Sequence, residues 1–266
     1  MSPSAYYKWK SGSSSQRFQE NKHIASLIEK IHIDSPDKGY RRIHDDLERF
    51  HNVHSNDKRI LRICRSLGIQ STVKFHPASC TRQARTPQHY SENILNREFH
   101  AEKPNEKWLT DVTEFKYYEG PRVKKVYLSA ILDLYDRRIV AFAIRDTNDN
   151  KLVFDTFAKA VQRNPDAHPI FHSDRGFQYT NRYFYQRLVN AGMIQSMSRV
   201  GRCIDNGPME GFWGILKRER YYGKRFTNRT ELVKMIRSYI HYYNTKRLQR
   251  NLGVLTPMEK HDRYLK

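Results

Sequence analysis

Residues 108–144 read WLTDVTEFKYYEGPRVKKVYLSAILDLYDRRIVAFAI, and the period of this stretch decides the fold. Residues 108–118 are rich in Thr, Val and aromatic side chains, 126–134 form a mostly apolar run, and 138–144 are β-branched and apolar. Glu119-Gly120-Pro121 and Tyr135-Asp136 interrupt these runs with residues that favour chain reversal. The pattern predicts three consecutive strands, paired antiparallel. One residue is out of keeping. Asp111 sits inside the first run, and a charge within a strand is costly unless it has a partner or a task.

Downstream the period changes. Leu152, Phe154, Phe157, Ala160 and Val161 mark the inward side of an amphipathic helix over 151–163. A short strand at 169–172, a helix over 181–191 and a short strand at 194–197 follow. A further helix is expected with Asn206 as cap, Pro208 in the first turn and Glu210 close behind. Phe212, Ile215 and Leu216 form its apolar face, and Glu210, Trp213, Lys217 and Tyr221 run along another. The order β-β-β-α-β-α-β-α predicts an α/β architecture, a ribonuclease-H-like mixed sheet flanked by helices.

Upstream, Ile24, Leu27, Ile28 and Ile31 recur at helical spacing, Ser35-Pro36 breaks the pattern, and Tyr40, Ile43, Leu47 and Phe50 form a second stripe. A third helix is expected with Ser55 as cap, Ile60, Cys64 and Leu67 inward, and Gly68 as its stop. Lys58, Arg62 and Arg65 line its other side. Three short helices ending in a basic one read as a helix-turn-helix-like DNA-binding region. The plainer reading is a small bundle with a solvated charged face, but residues 58–91 contain seven Lys or Arg and no Asp or Glu, more than solvation requires. His51 and His54 lack a cysteine pair to complete a metal site and read as ordinary histidines. Between 70 and 105 the period fades among Pro77, Pro87 and Pro104, as in a basic linker; Ser11 to Ser15 is a short serine tract. The expected organisation is a helical region 1–69, a linker 70–105, a core 106–222 and a basic helical extension 223–266.

Composition limits the partners. Lys and Arg number 48 against 28 Asp and Glu, a formal net charge of +20 that calls for a polyanion. The excess is uneven. Residues 106–214 carry 16 basic and 13 acidic side chains, whereas 215–266 carry 14 and 4. Basic flanks around a near-neutral centre suit an enzyme that grips nucleic acid at its edges and keeps carboxylates at its heart. Cys64, Cys80 and Cys203 form no C-x-x-C pair, which argues against a disulfide framework or a cysteine-based zinc site and for a reducing, cytoplasmic setting. The apolar run 139–144 is a strand's length, so no membrane partner is expected.

Three carboxylates stand out: Asp111 in the first strand, Asp174 just after the fourth, and Glu210 at a helix start. Mg²⁺ takes hard oxygen ligands, and three carboxylates are able to hold two ions about 3.5–4 Å apart for in-line phosphoryl transfer. With 28 acidic residues, spacing alone decides little; Asp133 and Asp205 are also available as ligands.

The words around these acids are more specific. Residues 172–179, HSDRGFQY, and 205–217, DNGPMEGFWGILK, place Asp174 and Glu210 with 35 residues between them. They closely resemble the integrase core of bacterial insertion-sequence transposases, and more narrowly OrfB of the insertion-sequence family numbered three. The resemblance spans nearly the whole chain. Gly39-Tyr40-Arg41-Arg42-Ile43 and Lys58-Arg59-Ile60 are similar to that family's N-terminal helix-turn-helix, and residues 108–113 to its first catalytic strand. Tyr242-Tyr243-Asn244, Lys246-Arg247 and Leu255-Thr256-Pro257 are similar to its C-terminal signature. Gly207 and Gly211 depart from the commonest pattern, where other small residues are usual.

The resemblance implies a DDE triad of Asp111, Asp174 and Glu210 binding two Mg²⁺ ions, for which Mn²⁺ substitutes, and a Lys217 that contacts the transposon end. It implies cleavage of double-stranded DNA at inverted-repeat ends and transfer of the 3′-hydroxyl to target DNA, by a homo-oligomer that acts with, or fused to, an upstream OrfA product. Two other readings remain open here: a ribonuclease-H-like nuclease that stops at hydrolysis, and a DNA-binding regulator with a decayed core.

Overall fold

Three helices make the N-terminal unit, one of two into which the chain divides, with the boundary after Val73. The computed structural model describes residues 15–73, 88–200 and 203–266; most of the serine tract and the basic stretch holding Pro77, Cys80 and Pro87 lie outside them. Helices α1 (Gln16–Asp34), α2 (Tyr40–His51) and α3 (Asp57–Ser66) bury Ile24, Ile28, Ile31, Ile43, Leu47, Ile60, Ile63 and Cys64 against one another. Gly68, at φ +67°, follows the end of α3 as expected.

Two local expectations need correction. The cap of α3 is Asn56, whose side-chain oxygen accepts the Arg59 N–H at 2.8 Å, and not Ser55. Phe50 is 64% exposed instead of inward. Helix α2 ends at His51, Asn52 turns left-handed at φ +53°, and the Val53 N–H returns to the Leu47 carbonyl. Val53, partly buried, packs against the core.

In the second unit, β1 (Lys107–Glu119) turns at Gly120 into antiparallel β2 (Arg122–Asp133), which pairs with antiparallel β3 (Ile139–Arg145). Helix α4 (Asn150–Arg163) leads to β4 (Ile170–Ser173), parallel to β1, and α5 (Arg182–Asn190) to β5 (Ile194–Met197), parallel to β4. The sheet order is β3-β2-β1-β4-β5, the mixed sheet that the period of the strands predicted.

Alternation along β1 divides the two faces. Leu109, Phe115 and Tyr117 join Val126, Leu128 and Leu132 of β2 in one core; Trp108 enters the other with Phe157, Phe171, Phe184 and Leu188 beneath α4 and α5. The first face is covered by α6 (Gly207–Leu216), a π-helical turn (Lys217–Tyr221) and α7 (Arg229–Thr245), through Phe212, Leu216, Leu232, Ile236, Tyr239 and Tyr243. Helix α8 (Pro257–Leu265) closes the chain behind a reciprocal cap between Thr256 and Glu259. Among the described residues no helix is long and apolar enough to cross a membrane.

Residues 88–105, from the segment expected as linker, and the expected extension both contribute to the packed unit. Leu95 and Ala101 are buried in the first core, and the Leu95 N–H donates to Ser196 Oγ at 3.1 Å. Such a segment shows no period because its anchors lie far apart in the chain. Helix α7 covers the first core alongside α6, through Leu232, Ile236, Tyr239, Ile240 and Tyr243, so residues from 223–266 belong to the α/β unit.

Candidate active site

The register of β1 against β4 builds the site. Leu109 pairs with His172 across the parallel strands, and two residues further along each chain come Asp111 and Asp174. Asp111 shares the face of Leu109, beneath α6, and Glu210 stands in the first turn of that helix. Three elements remote in sequence thus supply the site: Asp111 from within β1, Asp174 from just past the carboxyl end of β4, where open α/β sheets place ligands, and Glu210 from the first turn of α6.

The carboxylates feel one another. Burial, then the charge of Asp174 and, more weakly, that of Glu210, push the Asp111 carboxyl well above its ordinary range; the Val112 and Trp213 N–H groups oppose the shift. Asp174 is raised by burial and partly restored by the Gly176 N–H, 2.8 Å from its Oδ1. Burial followed by Asp174 raises Glu210, which is itself an exposed residue. Among the described residues no three His, Cys, Asp or Glu side chains are drawn together tightly enough to hold an ion as they stand. The all-oxygen donor set of Asp111, Asp174 and Glu210 suits a hard divalent cation.

The surroundings fix the two aspartates. Asp111 Oδ1 accepts from the Val112 N–H at 2.7 Å and Oδ2 from the indole N–H of Trp213 at 3.0 Å. Gly176 leaves room for Asp174, since a Cβ there would stand 2.9 Å from its Oδ1. Beneath them the buried Tyr179 hydroxyl meets Thr110 Oγ1 at 3.2 Å, and burial beside Asp111 and Asp174 pushes that phenol far up. Asn206 holds the cap position of α6 but does not cap it. Its Nδ2 instead donates to the Thr110 carbonyl at 3.0 Å.

Lys217 ends the regular part of α6, half-buried, with its ammonium 5.2 Å from the centre of the Phe115 ring. The π-turn that it opens is pinned from below. Glu219 receives the Arg247 guanidinium at 2.9 Å and the Tyr239 hydroxyl at 2.9 Å. The C-terminal signature is thereby explained as structure: Arg247 anchors this turn, and Asn244 pairs with both the N–H and the carbonyl of Ile139 on edge strand β3.

The two alternative acids serve elsewhere. Asp205 is fully buried between Arg199 and Arg97, which hold its carboxyl far below the usual range and occupy its oxygens. Asp133 accepts the Asn105 and Tyr135 N–H groups at 2.7 and 2.8 Å and ties the loops around β1 and β2. Burial and the neighbouring Asp136 raise it to about 6. A raised carboxyl adds stability at low pH, and that contribution is lost as pH rises through the folded value. The expected loss is about 3 kcal/mol between pH 4 and pH 6. Urea unfolding at several pH values should therefore find the stability gap between wild type and Asp133→Asn narrowing as pH rises; a constant gap would assign the slope to other groups.

Sequence reasoning placed Trp213 beside Glu210 but gave it no role. The signal available was its spacing, one helical turn after an acidic residue. Lys58, Arg62 and Arg65 are all exposed on α3, which belongs to the N-terminal unit, whereas the three carboxylates belong to the second.

Comparison with known proteins identifies the family. Residues 101–203 and 210–265 match the integrase core domain, and residues 19–75 match an HTH-like domain. An uncharacterized transposase-like protein of Haemophilus influenzae is 42% identical over 77% of this chain and 93% of its own length. The insertion element IS600 31 kDa protein of Shigella sonnei is 32% identical over 99% and 96%, and transposase InsF for insertion sequence IS3A of Escherichia coli is 30% identical over 96% and 88%. The chain belongs to the integrase-core transposases of the IS3 family. This transposase is an enzyme of DNA transposition, a polynucleotidyl transferase with an HTH-like domain ahead of its core. The HTLV-2 integrase catalytic core domain superposes with a TM-score of 0.46 at 18% identity, over 60% of this chain and 97% of that one. The second integrase-core match runs through α7 and α8 of the transposase, the segment first read as an extension.

Proposed function

We propose that the transposase cleaves DNA at the ends of its insertion sequence and transfers the freed 3′-hydroxyl to target DNA, with Asp111, Asp174 and Glu210 as the reacting site. The observation that carries this reading is that Asp111 within β1, Asp174 just past β4 and Glu210 at the start of α6 lie close enough for the charge of Asp174 to bear on both other carboxyls. Repulsion of this kind is relieved by divalent cations, and two Mg²⁺ ions, with Mn²⁺ as substitute, are the proposed occupants. When bound, they supply Lewis-acid activation of the attacking oxygen and neutralise charge on the leaving one. The chain supplies the carboxylate donors, a carboxylate orientation set by backbone and indole N–H groups, and a dry floor made by Thr110 and Tyr179.

In the first step a water oxygen bonds to phosphorus and the bond to the 3′ oxygen breaks, leaving a 3′-hydroxyl and a 5′-phosphate. In the second that hydroxyl attacks a target phosphodiester and displaces another 3′ oxygen, so the number of phosphodiesters is conserved. Lys217 is proposed to hold a phosphate beside the one attacked, as a flexible point charge. Replacing it with Ala should slow end processing more than Lys224→Ala or Lys234→Ala does, on labelled end DNA; equal rates for the three would remove it from the interface.

The N-terminal unit is proposed as a separate DNA-binding module, with Lys58, Arg62 and Arg65 facing phosphate. Alanine at all three should flatten the dependence of DNA affinity on salt by up to about three ion equivalents. An unchanged slope would make the unit a plain bundle. Assembly as a homo-oligomer on the two ends, cooperation with an upstream OrfA product and a cytoplasmic, nucleoid-associated location belong to the same reading. The test of the reaction is to measure nicking and joining together on inverted-repeat DNA with Mg²⁺: both are expected, and nicking that never proceeds to joining would favour a simple nuclease.

A further inference from the structure

The hydrogen bonds around Asp111 have a feature that packing does not require. Trp213 is buried, and a buried indole N–H needs an acceptor. Tryptophan commonly finds one in a backbone carbonyl, yet here the acceptor is the Oδ2 of a carboxylate that belongs to the reacting site. The other oxygen of Asp111 takes the Val112 N–H. With one donor on each oxygen, rotation of the carboxylate about its Cβ–Cγ bond is fixed. An ionised carboxylate has about four lone-pair positions, so two donors leave room on both oxygens for a cation.

The same helix makes a second tether. Asn206 Nδ2 donates to the carbonyl of Thr110, the residue before Asp111, so the start and the middle of α6 are fastened to two adjacent residues of β1, the aspartate and its predecessor. Asn206 and Trp213 are seven residues apart, two turns of helix, and Glu210 lies between them, one turn before Trp213. The helix that carries one carboxylate is thus locked in register with the strand that carries another.

We infer that Trp213 is a positioning residue for the transposition site: its indole N–H orients Asp111 relative to Glu210 so that the pair is set to capture a divalent cation. This rests on the reading of Asp111, Asp174 and Glu210 as cation ligands. The bond is charge-assisted, and so favours the ionised aspartate against its burial.

The test uses the full chain. Trp213→Phe keeps an aromatic ring at this buried position but removes the donor. Its Mn²⁺ affinity, measured by calorimetry, should fall roughly tenfold or more, as expected for loss of a hydrogen bond to a charged group. Cleavage of end DNA should then need correspondingly more divalent cation, with DNA affinity unchanged, and Trp213→His, which keeps a ring N–H, should recover part of the loss. A second measurement needs no substitution at this position. In ¹⁵N-indole-labelled wild-type protein, the Trp213 N–H resonance should move on Mg²⁺ addition over the concentrations that support cleavage, and Asp111→Asn should abolish the movement. Wild-type Mn²⁺ affinity in Trp213→Phe, or an indole resonance indifferent to Mg²⁺ while Asp111→Asn still loses Mn²⁺ binding, would overturn the inference and leave the triad standing. Undiminished Mn²⁺ binding by Asp111→Asn would overturn the triad reading itself.

Discussion

Asp111→Asn, Asp174→Asn and Glu210→Gln should each lower nicking and strand joining by about a thousandfold or more, the scale seen when preorganised charge stabilisation is removed from a transition state. Binding to end DNA should persist, since none of the three carries positive charge toward phosphate. Stability supplies an independent sign. All three carboxyls are raised by burial, and Asp111 and Glu210 also by the charge of Asp174, so at neutral pH in chelator their ionised forms oppose folding. Neutral replacements of Asp111 and Asp174 should therefore unfold at temperatures equal to or above that of wild type while being inactive. Loss of activity with a lowered unfolding temperature would point to a structural role instead, and nicking at the wild-type rate by any one variant would remove that residue from the site.

The second large effect is expected at Glu219. Its side chain is 7% exposed and that of Arg247 is 12% exposed, so the ion pair beneath the π-turn is effectively dry. Burial works against the Arg247 charge, but Glu219 beside it more than compensates and holds the guanidinium above its ordinary range. Removing one partner strands the other. Glu219→Ala should cost about 3–5 kcal/mol, which in a unit of this size lowers the unfolding midpoint by on the order of 10 °C. Because Lys217 opens the turn that Glu219 anchors, processing of end DNA should decline even well below the new midpoint. Replacing both residues with Met removes the stranded charge, and most of the stability should return. A Glu219→Ala protein that melts with wild type would mean that the turn is held by the aromatic contacts of Tyr221 with Phe115 and Phe226 alone.

Much of the α/β unit was legible in the chain because its signals are local. The strands show period two, the helices period 3.6, and Gly120, Asn181 and Pro208 mark turns and starts where the structure has them. Phe50 misled because a stripe continues on paper past the point where Asn52 ends the helix. Residues 88–105 and α7 misled for a different reason. Their anchors reach cores assembled from strands far away in sequence, and no window of neighbouring residues records that.

The carboxylates divide in the same way. Motif words singled out Asp111, Asp174 and Glu210, but spacing left Asp133 and Asp205 as rivals. Their surroundings separate them: Asp205 is spent on Arg97 and Arg199, and Asp133 is fully buried beside Asp136, whereas Asp111 feels the charges of Asp174 and Glu210. The sequence by itself determined the order and type of the elements, the basic character of the flanks and the family, since each is carried by residues close together in the chain. Tertiary structure alone decided that Asp205 is spent on Arg97 and Arg199, that Trp213 reaches Asp111 across 102 residues, and that Arg247 supports the turn beginning at Lys217. The physical reason is that a buried donor, or one half of an ion pair, has its worth set by whatever the fold places opposite it, and that partner is chosen by strand register and helix packing rather than by distance along the chain.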